Sequence, residues 1–523
     1  MKLGAIICSV LVALANGWNA GAANYYVSSI RAGRSDSNAG TSSNAPWATF
    51  DKVKSMWGGL NDGDTVHLER GSAWNLTFSD DYWYVSSGGS AAGGTIMIRG
   101  DDYGTGAKPI LRRTDGSGSS AFFVIQTSYV TFRDFVLDGG STDYGKATLG
   151  IAIGDDNANI SNVTIKNMTI RNLGGSSSDY ICGIWVVSPG YTVSDCLIEG
   201  NEVSYYSAHG LNHYSPGPMV NIVWRNNVVK NSFGGGRYPS ANSALQITSG
   251  SRGCLFENNY LEDATTTEGC ILGFGKYAND TGTNTIRFNV IVNSDEFGVL
   301  FTIDHTAKRL MYDFYGNIVY NNDKSGFALH PYNSYTSGTV FNVYNNTFYK
   351  NYTDGGADSS KGEIELASQC NNTLINLFNN LVYHPNYGST VGLGVASGFS
   401  GTLTHGNNLF YHEGGSNKTV VSHGTTYTMA TIRNYEPTAQ RGDPLFLEIA
   451  RLPVSINSTN GAQPDGLDLT APSVASTNGL NLGSRYALDI TRKARTAPWS
   501  IGAYQYSIPS HRPKPPKNMH VVE

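Results

Sequence analysis

One fragment keeps returning along this chain: a short apolar strand with Asn just before its second half. It reads IKNMTIRN around Asn167, IEGNEVSY around Asn201, WRNNVVKN around Asn227, FENNYLED around Asn259 and IRFNVIVN around Asn289. It continues as FYGNIVYN around Asn317, VYNNTFYK around Asn346, LFNNLVYH around Asn380 and HGNNLFYH around Asn408. Successive Asn positions differ by 34, 26, 32, 30, 28, 29, 34 and 28 residues. A strand-rich unit of that length cannot bury its apolar face alone, so units stack and share one continuous core. Asn side chains stacked at a tight turn would satisfy backbone groups that have no strand partner.

An upstream strand repeats with the same period. Gly183-Ile184-Trp185-Val186 is followed by Gly210-Leu211-Asn212-His213, Ala244-Leu245-Gln246-Ile247 and Cys270-Ile271-Leu272-Gly273. Gly298-Val299-Leu300-Phe301, Gly326-Phe327-Ala328-Leu329 and Glu363-Ile364-Glu365-Leu366 complete the set. Period-two alternation predicts Ile184, Leu211, Leu245, Ile271, Val299, Phe327 and Ile364 inside. It predicts a solvent-facing row that includes Trp185, Asn212, Tyr214, Gln246, Thr302, Asp304, His330, Tyr332 and Glu365.

The flanks differ from the repeats. Residues 1–22 read as a signal peptide, with Met1-Lys2, an apolar run too short to span a bilayer and Ala20-Gly21-Ala22 as the cleavage site. The chain is therefore expected to be secreted. Residues 23–64 form an N-terminal cap in which Asn44 caps a helix and Pro46 opens its first turn. Trp47, Phe50, Val53 and Trp57 would share one face of that helix and plug the end of the stack. Residues 65–439 hold the coils, and 440–506 close them from Asp443-Pro444 to Ala503-Tyr504. The Pro-rich stretch 507–523 reads as a linker or tail, and as a linker it implies a further C-terminal domain.

Composition excludes several classes. Lys+Arg total 36 against 41 for Asp+Glu, a net charge of −5. This is not the basic field of a nucleic-acid binder, and only a local basic patch or a bridging cation could attract an acidic polysaccharide. No later segment is apolar enough for a membrane span. Cys182, Cys196, Cys254, Cys270 and Cys370 follow the signal; their odd number leaves at least one free or paired between chains, and none forms a CxxC zinc pattern. Most are expected in the core, with Cys254–Cys270 the one bridge to consider.

Three features together resemble the secreted right-handed parallel β-helix proteins of the pectin-lyase-like superfamily. They are YYVSS…GTSSNAPWATFDKV…DGDTVHL at the start, the Asn-bearing repeats, and the DPLF…IGAY ending. The resemblance implies an all-β, single-stranded right-handed β-helix with a helical N-terminal cap and a loop-rich C-terminal wrap. It also implies action on an extracellular polysaccharide, as a glycoside hydrolase or a polysaccharide lyase. The alternative is a non-catalytic, glycan-binding surface scaffold. The NTDG, RxPR, DPHD and ExISxKS motifs that single out particular activities in that superfamily are absent.

Hydrolysis needs two carboxyls roughly 5 to 9 Å apart. Asp304 and Glu365 are candidates, about 10 Å apart across two coils, with Glu268, Asp295 and Glu296 in nearby turns. Elimination needs a base and a cation to stabilise an enolate; His330, His213, Tyr214, Lys308 and Arg309 supply those parts. The catalytic candidates are thus Asp304, His330 and Glu365. Asn212, His213, Tyr214, Gln246, Lys308, Arg309 and Tyr332 are the candidate substrate contacts. No motif demands a cofactor; calcium would find oxygen donors in Asp304, Asp295 and Glu296.

Overall fold

This computed structural model describes residues 21–506 except 77–81, 114–120, 141–146, 155, 175–180, 188, 215, 233–242, 249, 263–267, 276–281, 304–309, 331–337, 355–360, 369, 371, 386–390, 415–417, 454–455, 458–460, 463–465 and 471–472. The expected signal residues 1–20 and the tail 507–523 lie outside that set. The described chain winds as a right-handed parallel β-solenoid. Three sheets of 13 strands each run along it, and each full coil gives one strand to each sheet.

Sheet I starts with Asn24–Val27 paired in parallel to Thr65–Leu68 and runs through Leu255–Glu257, Gly282–Arg287 and Leu310–Tyr315. Sheet II holds the strands that follow the Asn turns, such as Glu202–Tyr206 and Val290–Val292. Sheet III holds the aligned upstream strands, among them His209–His213, Phe327–Leu329 and Gly362–Leu366. Its last pairing, Lys418–Ser422 with Thr425–Thr428, is antiparallel, which leaves the short, largely polar Thr425–Thr428 as the edge strand.

Register matches the alternation. Ile184, Leu211, Leu245, Ile271, Val299, Phe327 and Ile364 pair coil to coil and are all buried in the main core. Each such side chain contributes about 1.5–3 kcal/mol by leaving water, so stacked rows of them hold the coils together.

At the turn from sheet I to sheet II the asparagines form a ladder. The Asn289 side-chain oxygen accepts from Asn259 N at 2.9 Å and Asn259 Nδ2 at 3.0 Å. Asn289 Nδ2 in turn donates to Asn317 Oδ1 at 3.0 Å and to Phe256 O at 3.1 Å. The pattern starts at Asn201, whose Oδ1 accepts from Met168 N. Asn167 therefore does not belong to it: it sits one residue early, at φ 51°, in the left-handed position that Asn226 and Asn258 occupy in later coils. The ladder ends on Glu436, whose carboxylate accepts from Asn408 N at 2.8 Å and Nδ2 at 2.9 Å. A carboxylate replaces the missing next amide, and His405 Nδ1 lies 2.9 Å from its Oε2.

A second, shorter ladder joins Ser294, Asn322 and Asn351, and it too ends on a buried glutamate. Glu363 accepts from Asn351 N at 2.9 Å and Nδ2 at 2.6 Å. One coil earlier the same position is Gly326, where a Cβ would lie 2.7 Å from Asn351 Nδ2. Gly326 thus leaves room for the Asn351 amide that Glu363 caps, and burial pushes the Glu363 carboxyl well above the usual range.

One expectation is corrected, and one bridge left open by the sequence is absent among the described residues. The N-terminal helix spans Phe50–Met56 and is capped by the Thr49 side chain, which accepts from Lys52 N at 3.2 Å. Asn44 lies before it in a turn, with Ala45 N donating to Ser42 O, because Asp36 ties down Ala48 N and Thr49 N and delays the helix start. Cys254 and Cys270 form no bridge; both are free and buried, like Cys182, Cys196 and Cys370. Burial pushes the Cys182, Cys196, Cys254 and Cys370 thiols up to about 12, which keeps them unreactive. Among the described residues, no helix is long and apolar enough to cross a membrane.

Candidate active site

Sheet III places Trp185, Asn212, Gln246, Leu272, Leu300, Ala328, Glu365 and Gly394 on one outward line. The direction is as expected and the solvent exposure is not. Asn212 is 1% exposed, Gln246 6% and Glu365 5%. Leu272, Phe297, Leu300 and Ala328 form an apolar cluster of their own beside that line, separate from the main core. Alternation along a strand sets which way a side chain points, not whether it meets water.

Glu365 and His330 are brought together. His330 follows the strand Phe327–Leu329, and its backbone N donates to Phe301 O at 2.9 Å, which extends the sheet III pairing by one residue. Its Nε2 is 2.8 Å from Glu365 Oε1. A carboxylate only accepts, so Nε2 donates to Glu365 and Nδ1 is the nitrogen turned away from it. Ser325 Oγ donates to Glu365 Oε2 at 2.8 Å. Both carboxylate oxygens are thus held, and the imidazole is held in one orientation. The Phe297 ring meets His330 edge-on at 5.1 Å, and Lys324 Nζ lies 5.6 Å from the Phe297 centroid. Lys324 also pairs with Glu296.

Glu268 lies just ahead of the strand Ile271–Gly275. Its Oε2 is buried without a hydrogen-bond partner among the described residues, and burial pushes its carboxyl up to about 7. It is therefore partly protonated at neutral pH. Burial, with Asp323 close by, also raises the Asp295 carboxyl.

The other sequence candidates separate. His213 does not face a ligand. It is fully buried, with Trp224 Nε1 donating to its Nδ1 at 3.1 Å and Ser251 Oγ 2.6 Å from its Nε2. Burial lowers it to about 3, so it is a neutral core residue. It alternates inward like Ile247, its register partner. Asn212 and Gln246 are register partners on the outer line, and Asn212 Nδ2 donates to Cys182 Sγ at 3.3 Å. Tyr214 is half-buried, and its carbonyl accepts from Trp185 Nε1 at 3.1 Å. Asp304, Lys308, Arg309 and Tyr332 lie outside the described residues. Among the described residues, no group of three or more acidic, His or Cys side chains is placed to hold a metal ion. Sequence reasoning missed Ser325 and Phe297; both sit just before aligned strands, where the repeat gives no alternation to read.

No family model matches the chain. Lacto-N-biosidase of Bifidobacterium longum subsp. longum is 41% identical over 98 residues, which is 18% of this chain and 6% of that protein. The chain thus covers only a small part of that relative's length. Among solved structures, XylC in complex with xylose matches with a TM-score of 0.50 at 9% identity, over 92% of this chain and 98% of that one. The GH136 lacto-N-biosidase from Eubacterium ramulus matches with a TM-score of 0.44 at 16% identity, over 68% of this chain and 67% of that one. The strand topology and the XylC likeness define the class: a right-handed parallel β-helix of the pectin-lyase-like fold.

Proposed function

We propose that this chain is an exported carbohydrate-active enzyme that cleaves glycosidic bonds on the outer face of sheet III. The observation that carries the reading is the Ser325–Glu365–His330 hydrogen-bonded chain. It presents one imidazole nitrogen, oriented by a fixed carboxylate, for proton transfer. His330 is the acid–base group and Glu365 the positioning residue. Glu268 supplies a carboxyl that burial raises to about 7, so a large fraction is protonated at neutral pH, the state required to protonate a leaving sugar oxygen. Asp304 is the further carboxyl candidate on the same face by its sequence position. The stretch shared with lacto-N-biosidase favours hydrolysis. One observation favours a second reading, elimination: an imidazole held by a carboxylate through Nε2 is the kind of base that proton abstraction beside a uronate carboxylate needs.

A glycan panel tests both readings. The purified chain is incubated with neutral and acidic oligo- and polysaccharides, with and without calcium. New reducing ends and absorbance from unsaturated ends are followed together. Reducing ends alone assign a hydrolase; reducing ends with unsaturation assign a lyase. Silence across the panel removes the enzyme reading and leaves a glycan-binding scaffold.

A further inference from the structure

Sheet I carries a groove of about 510 Å³ on its outer side, against the closing segment of the chain. Its floor is Gly253 and Leu255, Thr283 and Thr285 line it one coil on, and Arg287, Tyr315 and Arg485 complete the wall. None of these residues belongs to the Glu365–His330 site, which lies on sheet III.

The charges around this groove are unbalanced. Arg287 Nε donates to Glu257 at 2.6 Å and its Nη1 to Tyr315 Oη at 2.8 Å. Arg492 approaches the same Glu257 at 3.3 Å, and Arg485 pairs with the fully buried Asp313. Arg252 is exposed directly before Gly253. Three guanidiniums, Arg287, Arg485 and Arg492, therefore meet two carboxylates, an excess of one positive charge in a chain of net charge −5. Arg485 is 51% exposed and spends only Nη2 on Asp313, so its other N–H donors have no partner among the described residues. The Thr283 and Thr285 hydroxyls have none there either. Tyr486 stands edge-on to Tyr315 at 5.0 Å and to Tyr344 at 4.9 Å, which gives an aromatic wall. Convergent unsatisfied donors, local positive charge and aromatic edges in one concavity fit an anionic, hydroxyl-rich ligand.

We propose that this groove is a second carbohydrate-binding site, which takes an acidic sugar unit through its carboxylate or sulfate. Arg485 and the two threonines make the polar contacts. The site binds without cleaving and anchors an acidic glycan on a different sheet from the cleavage site.

Isothermal titration with three hexasaccharides tests this: galacturonate, sulfated galactan and neutral galactan. At least one acidic hexamer binds and the neutral one does not; which acidic hexamer binds separates carboxylate from sulfate. Thr283→Asp, which disturbs no ion pair, weakens that binding at least tenfold at an unchanged melting temperature. Arg485→Gln weakens it too, but it also strips Asp313 of its partner, so Thr283→Asp is the deciding variant. Glu365→Gln leaves the binding unchanged. The proposal is overturned if no acidic hexamer binds, if the neutral hexamer binds equally well, or if Thr283→Asp binds like the wild type. Loss of binding in Glu365→Gln would also overturn it, because the ligand would then sit on sheet III. If cleavage is found, the Thr283→Asp comparison is made in the Glu365→Gln background, so that its outcome reads binding at this groove alone.

Discussion

The asparagine ladder and the outer line of sheet III are made by the same coils in the same register, yet they follow opposite rules. Along the ladder each coil repeats one residue and one set of bonds, from Asn201 to Asn408. Along the outer line the residue changes at almost every coil: Gln246, Leu272, Leu300, Ala328 and Glu365. Stacking fully dictates the first set, because an omitted amide leaves buried backbone unpaired. It leaves the second set free to vary. In a solenoid the loudest sequence signal therefore reports structure, and chemistry is found where the repetition stops. The ladder ends show the same rule, since Glu436 and Glu363 appear only where no further amide oxygen is there to accept from Asn408 and Asn351.

The sharpest way to break this contrast is Asn289→Leu. It orphans Asn259 N–H, one Asn259 Nδ2–H and the Phe256 carbonyl. At about 1–3 kcal/mol for each buried unsatisfied group, the loss should be roughly 3–9 kcal/mol in denaturant unfolding. An effect near zero would mean that the ladder is ornamental. Glu365→Gln should do the reverse: stability within about 1 kcal/mol of wild type, and glycan cleavage down roughly 10²–10⁴-fold, the range for a positioned acid–base unit. Cleavage at the wild-type rate would move the site away from His330.

The fold is legible because inward residues such as Ile271 and Phe327 obey one period, and because Asn must recur wherever the sheet I to sheet II turn recurs. Asn167 falls one residue off the ladder, since Met168 occupies the ladder place and an adjacent Asn serves the left-handed turn. The site is legible in part. Alternation puts His330 and Glu365 on one face, but the Ser325 contact comes from a corner where alternation fails. His213 illustrates the limit most clearly. Its two hydrogen-bond partners, Trp224 and Ser251, come from strands 11 and 38 residues away, so nothing local distinguishes a satisfied core histidine from one that meets ligand.

His213 gives a pH test that separates core from site. Its folded pKa, about 3, lies below the usual value of about 6.5, so the folded state resists protonation. The stabilisation is fully present above about 6.5 and is lost as pH falls toward 3. His213→Gln removes this titration. The variant should be the less stable at pH 7, and the gap should close by about 2 kcal/mol between pH 6.5 and 5, at about 1.36 kcal/mol per unit. Chemical unfolding at several pH values measures it. A gap that stays constant with pH would show that His213 does not titrate on unfolding.

The smallest effect is expected at Ser325→Ala, and it sharpens the comparison most finely. Ser325 is fully buried and gives Glu365 Oε2 its hydrogen bond, while His330 holds Oε1. Removing one donor leaves the dyad in place and costs about 1 kcal/mol, so cleavage should fall about fivefold. The loss should appear in kcat with KM unchanged, because Ser325 reaches the substrate only through Glu365 and His330. Combined with Glu365→Gln, Ser325→Ala should add nothing further, since residues in one hydrogen-bonded chain are not additive. Additive losses in the double variant would mean that Ser325 supports the sheet independently, as a ladder residue does, and does not serve the site.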